Sequence, residues 1–389
     1  MKTLNELKLA KELIRFPSIT PIDAGIMKFL EKKLKSIGFK TKILEFKDRK
    51  SKPVKNIYAR IGTKSPNFCY AGHVDVVPPG NIKKWSSHPF KPKIKNGKLI
   101  GRGSSDMKTS VASFIAAVNE FVIKKKKFNG SISLLITGDE EGIAINGTKK
   151  VVEYLIKKKE KINFCLIGEP TNPSQMGEMI KIGRRGSITG YLSIFGKMGH
   201  VAYNHKAINP STCIIDVLKN LKKIKLDNGS KNFQASNLEI TKISINNDAD
   251  NVIPGDAKAT FNIRFNDKHN STSLKKKLNF LIKKICKKYK CKFKIEYMIS
   301  GESFITKPNK ITFMIKKIIK KNTRVNTRLS TSGGTSDARF IRKISPCLEF
   351  GMVGASMHQV DENIKIKDLK TLTKIHKEIL DQYFSWKLQ

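Results

Sequence analysis

Apolar positions divide the chain into stretches of helical and of strand periodicity. Residues 1–16 place leucines and isoleucine at helical spacing among charges and predict an amphipathic helix that ends before Pro17. A second helix is predicted around residues 24–37, followed by the alternating strands KTKILEF and NIYARIG. Residues 67–71 then form a short apolar run ending in Gly72, with His73 and Asp75 immediately beyond. The same figure recurs three times: 132–137 runs into GDEEG, 164–167 into GEPT, and 348–350 into a loop that contains His358. Ligands of open α/β sheets bind beyond the carboxyl ends of the strands, so four strand ends are expected to bring ligand-type residues to one edge.

The texture changes between residues 182 and 296. Here the order is strand 187–195, helix 211–224, strands 238–245 and 257–265, helix 272–289 and strand 291–299. This βαββαβ order is that of a ferredoxin-like α+β domain. It interrupts the first pattern, which resumes from Lys310 with helix, loop and strand. The predicted architecture is therefore an open mixed-sheet α/β domain with helices on both faces, residues 1–181 and 297–389, and an inserted domain, 182–296. A length of 389 residues suits two cores better than one.

Composition narrows the picture. No stretch reaches the ~20 apolar residues of a membrane span, and the charged N-terminus does not read as a signal peptide, which points to the cytoplasm. Six cysteines without a CxxC pair argue against a disulfide framework or a cysteine-built metal site, leaving histidine and carboxylate as metal donors. A formal charge of +44 invites a nucleic-acid reading. The excess is lysine spread over the predicted helices (KKLK, KKKK, IKKKEK, KKICKKYK), with no aromatic interleaving and no zinc-finger or RNP-like motif. It is expected to be solvated surface with no specific nucleic-acid partner, although a positive field still steers anionic substrates.

The chemistry centres on GRGSSDMK, residues 101–108, ahead of a predicted amphipathic helix with Val111, Phe114, Ile115 and Val118 on one face. An aspartate there is commonly an N-cap. Asp106, however, has His73, Glu141, Glu169 and His358 in comparable loops, and two histidines with three carboxylates serve two catalytic zinc ions if one carboxylate bridges. Glu140 beside Glu141 fits a division of labour in which one carboxylate ligates and its neighbour accepts a proton from water. Asp75, two residues past His73, is placed to take the imidazole N–H and orient the ring.

The motifs GHVDVVPPG, GRGSSDMK, TGDEEG, GEPT, RRGS, GHVAY, NVIP and SGGTSDARF together resemble the dinuclear zinc aminoacylase and peptidase family, in order and through nearly the whole chain. The resemblance implies an amidohydrolase with two Zn2+ per chain, Co2+ being a substitute. In that scheme His73 and Glu169 bind one ion, Glu141 and His358 the other, Asp106 bridges and Glu140 is the general base. It further implies a homodimer built by an inserted lid domain, in which His200 reaches the partner's active site and stabilises the oxyanion. Arg184, Asn251, Arg264, Gly333, Gly334 and Thr335 resemble the family's carboxylate-binding groups, with Ser187 and Tyr203 beside them. GHVAY and RRGS favour removal of a succinyl group from an anionic diamino acid over a deacetylase or an aminoacylase. Two departures, Asn204 in place of proline and Gln359 in place of lysine, leave the ligands untouched and bear on lid and substrate fit.

Overall fold

The computed structural model describes residues 3–48 and 51–385, so the first two residues of the predicted N-terminal helix lie outside the described residues. The chain forms two compact units. One comprises the chain up to Ile182, Thr306–Ser330 and the chain from Ser336 onward; the other is Gly183–Ile305 with Thr331–Thr335. The second unit begins beside the predicted boundary but continues past residue 296, because strand Lys292–Gly301 pairs along its length with Gly186–Phe195.

The first unit is built on an eight-stranded mixed sheet. Its order is Lys40–Asp48, Ser51–Ile61, Ser131–Thr137, Asn67–His73, Phe164–Ile167, Cys347–Glu349, Met179–Lys181 and Arg328–Ser330. The four predicted strands that precede ligand loops are consecutive parallel neighbours in the middle of this order. Every residue of Asn67–His73, Ser131–Thr137 and Phe164–Ile167 is buried, which identifies a sheet covered on both faces and explains why apolar residues predominate without strict alternation. A row of cysteines, Cys69, Cys165 and Cys347, crosses three adjacent strands in register. All six cysteines of the chain are free thiols.

Helix Lys108–Lys125 corrects the amphipathic expectation. All residues from Lys108 to Asn119 are buried, polar ones included, because helices Glu6–Ile14 and Ile366–Ser385 cover its outer side. Polar groups on that side are partnered: the Leu4 N–H donates to Asn119 Oδ1 at 2.8 Å, and Ser113 Oγ lies 3.0 Å from His376 Nδ1. Each fully buried Val, Ile or Phe of this helix contributes about 1.5–3 kcal/mol. Such burial anchors the turn that carries Asp106. No helix of the described residues is long and apolar enough to cross a membrane.

The second unit is a four-stranded antiparallel sheet. Taken in chain order, its strands are Gly186–Phe195, Asn237–Ser244, Asp256–Phe265 and Lys292–Gly301, arranged second, third, first, fourth. Helices Pro210–Lys223 and Ser271–Lys288 bury Cys213, Val217, Leu221, Leu278 and Ile282 against Ile188, Leu192, Phe261 and Ile263. Inward and outward residues alternate along Asp256–Phe265, as expected of a sheet with one covered face. This is the ferredoxin-like arrangement.

Candidate metal centre

The parallel strands end together. His73, the last residue of its strand, pairs with Thr137, and Ala71 pairs with Ile167. Backbone bonds continue the alignment into the loops: the Val74 N–H donates to the Thr137 carbonyl, the Gly168 N–H to Ala71 and the Phe350 N–H to Ile167. His73, the Glu140–Glu141 pair, Glu169 and the loop toward His358 therefore leave one edge of the sheet.

Asp106 is not an N-cap. The cap position of its helix is Met107, with no side-chain capping bond. Its carboxylate lies instead between two imidazoles, with Oδ1 3.0 Å from His73 Nε2 and Oδ2 3.3 Å from His358 Nε2. His358 Nε2 is also 2.9 Å from Glu141 Oε1. Among the described residues, two donor groups have ligand atoms within 4.8 Å of one another: His73, Glu140 and Glu169, and His73, Asp106 and Glu141. By distance alone Glu140 thus belongs to the first donor group beside its predicted role as base.

The role of Asp75 differs from the sequence expectation. His73 Nδ1 bonds the Asp75 backbone carbonyl at 3.0 Å, while the carboxylate is 3.6 Å away. The carboxylate instead accepts the N–H groups of Glu140 and Glu141, at 3.1 Å and 3.0 Å to Oδ2. The main chain of Asp75 orients the ring, and its side chain fixes the two glutamates. Burial pushes the Asp75 carboxyl up to about 6.

Electrostatics favour a cation here. Asp75, Asp106, Glu140, Glu141 and Glu169 face two imidazoles, so negative charge remains in excess even with both rings protonated, and buried charge of one sign is costly without a counter-ion. Burial, followed by the charge of Glu169, raises the Glu140 carboxyl well above the usual range. Burial also opposes ionisation of Asp106, yet hydrogen bonds from His358 and His73 hold it far below its ordinary value. Bonds to Asp106 and Glu141 raise the His358 imidazole to about 10. An all-nitrogen-and-oxygen donor set in which one carboxylate offers an oxygen to each side fits a pair of borderline divalent cations.

The other predicted residues lie in the second unit. His200 is exposed, and its Nδ1 accepts the Ala202 N–H at 3.1 Å. Tyr203 lies beside it, with ring centroids 5.8 Å apart, and the Asn251 carbonyl accepts the Val201 N–H. Arg184 Nη1 donates to the Ser332 carbonyl at 3.4 Å. Gly333 packs so closely on this guanidinium that a β-carbon would stand 2.6 Å from Nη1, and its φ of +102° also favours glycine. Ser187 and Arg264 are direct cross-strand partners. Gly334 has open space where a side chain would be, and Thr335 closes the 331–335 segment of this unit.

Three further residues shape the loops, two of them, Arg102 and Asp139, within the motifs GRGSSDMK and TGDEEG. Asp139 accepts the N–H groups of Ala144, Ile145 and Asn146 and so curls the loop that holds Glu140 and Glu141. Arg102 and Glu362, 2 % and 0 % exposed, form an ion pair at 2.7 Å beneath the Asp106 turn. Charged residues in glycine-rich loops read as solvated from sequence; only their burial sets them apart.

Residues 69–382 match the sequence model of peptidase family M20/M25/M40. The chain is 68% identical over 384 residues to a succinyl-diaminopimelate desuccinylase of Pelagibacter ubique (strain HTCC1062), covering 99% of this chain and 100% of that one. It is 47% identical to a protein of the same name from Parvibaculum lavamentivorans, covering 97% and 95%. Among solved structures, an M20 family metallo-carboxypeptidase from Sulfolobus solfataricus superposes with a TM-score of 0.79 at 19% identity, covering 98% and 99%. A Bacillus subtilis protein described as a dinuclear metal binding peptidase from M20 family gives 0.72 at 16%, covering 97% of each chain. The fold, the ordered motifs and the family match lead to one assignment: the chain belongs to peptidase family M20/M25/M40.

Proposed function

We propose that this protein hydrolyses the succinyl amide of N-succinyl-LL-2,6-diaminopimelate to succinate and LL-2,6-diaminopimelate, a biosynthetic step of the cytoplasm that feeds lysine and cell-wall synthesis. Full-length similarity to proteins named for that reaction carries the substrate. The cluster around Asp106 supports the chemistry. His73 and Glu169 would hold one cation, Glu141 and His358 the other, and Asp106 both. We read the ions as Zn2+, with Co2+ a working substitute. Bound at such a centre, a cation pair lowers the pKa of a water and polarises a carbonyl oxygen.

The chain's own groups do the rest. Glu140, half-buried and with a raised pKa, takes a proton from the attacking water and delivers it to the leaving amine when the C–N bond breaks. The Ala202 N–H makes Nδ1 of His200 an acceptor, so the neutral ring carries its proton on Nε2, as a donor to the tetrahedral oxyanion requires. We read that oxyanion as the one formed on substrate bound in the active site of the partner subunit of a homodimer. Arg184 with Gly333, and Arg264 with Ser187, supply cationic and small-residue surfaces for the substrate carboxylates, an arrangement that planar guanidinium groups suit. Tyr203, Asn251, Gly334 and Thr335 complete the proposed recognition set.

The test is a metal count per chain coupled to a desuccinylation assay before and after chelation, with N-acetylornithine as competitor substrate. The expected result is succinyl-diaminopimelate turnover that vanishes on chelation and returns with Zn2+ or Co2+. Faster turnover of the acetyl substrate would make the protein a deacetylase of the same family. Salt-sensitive RNA or DNA binding without hydrolysis would favour a nucleic-acid role.

A further inference from the structure

We infer that Arg102 and Glu362 form a positioning clip that sets the separation of Asp106 from His358 and so governs one of the two cation positions selectively; the inference rests on the dinuclear reading above. Glu362 Oε2 accepts Arg102 Nη1 at 2.7 Å and the Gly103 N–H at 3.0 Å. Oε1 accepts the N–H groups of Ser105 at 2.7 Å and Asp106 at 3.0 Å. One buried carboxylate therefore takes three backbone donors from the turn that ends in Asp106. Strand Asn363–Lys365, which begins directly after Glu362, pairs with Lys98–Ile100 just before Arg102, and this ladder delivers the two charges to each other.

Arg102 uses the rest of its fork on the neighbouring loops. Nη1 donates to the Gln359 carbonyl at 3.3 Å, and Nη2 to the His358 and Pro78 carbonyls at 3.4 Å each. The guanidinium carbon stands 5.2 Å from the Trp85 ring. His358 has φ of +63°, a left-handed conformation that a side chain with a β-carbon resists unless its surroundings impose it. The bonds to the carbonyls of residues 358 and 359 impose it here. Planar, multidentate donation of this kind suits arginine and not lysine.

The selectivity follows from what the clip leaves alone. His73 is fixed by its own strand and by the Asp75 carbonyl, and Glu141 by the Asp75 carboxylate. His358 is exposed and sits on a loop whose backbone the clip grips directly. Asp106 keeps two holds that do not involve the clip, the buried helix Lys108–Lys125 that follows it and His73 Nε2 at 3.0 Å from Oδ1, so loosening the clip moves His358 relative to Asp106 and leaves the His73 side in place.

The experiment titrates Co2+ into chelator-stripped full-length protein, followed by visible absorption and calorimetry, for the parent, Arg102→Lys and Glu362→Gln. Thermal unfolding checks that each variant is folded. If one variant fails to fold, the other carries the test, since Arg102→Lys keeps the charge and Glu362→Gln keeps the shape. The parent is expected to take up two ions. Each variant is expected to bind one as the parent does and the other about 10- to 100-fold more weakly. Two unchanged steps, or two steps weakened alike, would overturn the clip. A parent that takes up fewer than two ions would instead refute the dinuclear reading.

Discussion

His73 and His358, from opposite ends of the polypeptide, each approach one oxygen of a single carboxylate, with His73 Nε2 3.0 Å from Asp106 Oδ1 and His358 Nε2 3.3 Å from Oδ2. A carboxylate shared in this way makes the two donor sets interdependent. Replacing it by an amide leaves one oxygen, so Asp106→Asn is expected to lower cation stoichiometry and abolish turnover together. Elemental analysis of the dialysed variant measures the first and an amide-hydrolysis assay the second.

Glu140 stands in the same donor group as His73 and Glu169, so base and ligand roles make different predictions. As a base, Glu140→Ala loses about 10²- to 10⁴-fold in kcat with the metal content of the parent. A metal count that falls with the activity would make Glu140 a ligand.

Asp75 acts on its neighbours through both its main chain and its side chain. Asp75→Asn retains the carbonyl that bonds His73 Nδ1 but turns an amide toward the N–H groups of Glu140 and Glu141. The expected loss is about 10- to 100-fold in activity, as for other groups that orient metal ligands. Thermal stability and the pH profile of kcat separate this from unfolding.

The proposed action of His200 across a two-fold interface predicts complementation. Mixing inactive His200→Ala with inactive Glu140→Ala subunits creates heterodimers with one intact site, so about a quarter of parental activity returns if subunits exchange freely. No recovery would place His200 on its own chain's site.

The buried His376 links the fold to pH. Burial depresses its imidazole to about 3, against an ordinary value near 6.5, with Ser113 Oγ 3.0 Å from Nδ1 and the rings of Tyr70 and Phe114 at 5.7 and 5.5 Å. The unfolded chain binds the extra proton between these values, so stability is full above about pH 6.5 and falls by up to about 1.4 kcal/mol per unit as pH drops toward 3. His376→Phe is expected to flatten that acid limb in urea unfolding, at a cost near neutrality of about 0.5–1.5 kcal/mol for the lost hydrogen bond.

Much of this is legible in the sequence. The apolar-rich runs 67–71, 132–137, 164–167 and 348–350 read as buried strands, because a sheet covered on both faces has no polar side to alternate with. The βαββαβ order marked the second unit for the complementary reason, since its sheet has one covered face and alternates. The helix after Asp106 was less legible. Ser113 and Asn119 read as a polar face, yet they are buried because helix Ile366–Ser385 and the N-terminal residues, remote in sequence, supply their partners.

Local sequence determined which residues offer nitrogen and oxygen donors, which stretches become helix or strand, and that the donors follow strand ends, since propensity and periodicity act over a few residues. Tertiary structure alone decided that Asp106 lies between two imidazoles, that Asp75 gives its carbonyl to one group and its carboxylate to others, and that Arg102 meets Glu362. Those relationships join positions up to 260 residues apart. Their energies come from burial and from the pairing of charges removed from water, which no single stretch of chain can encode.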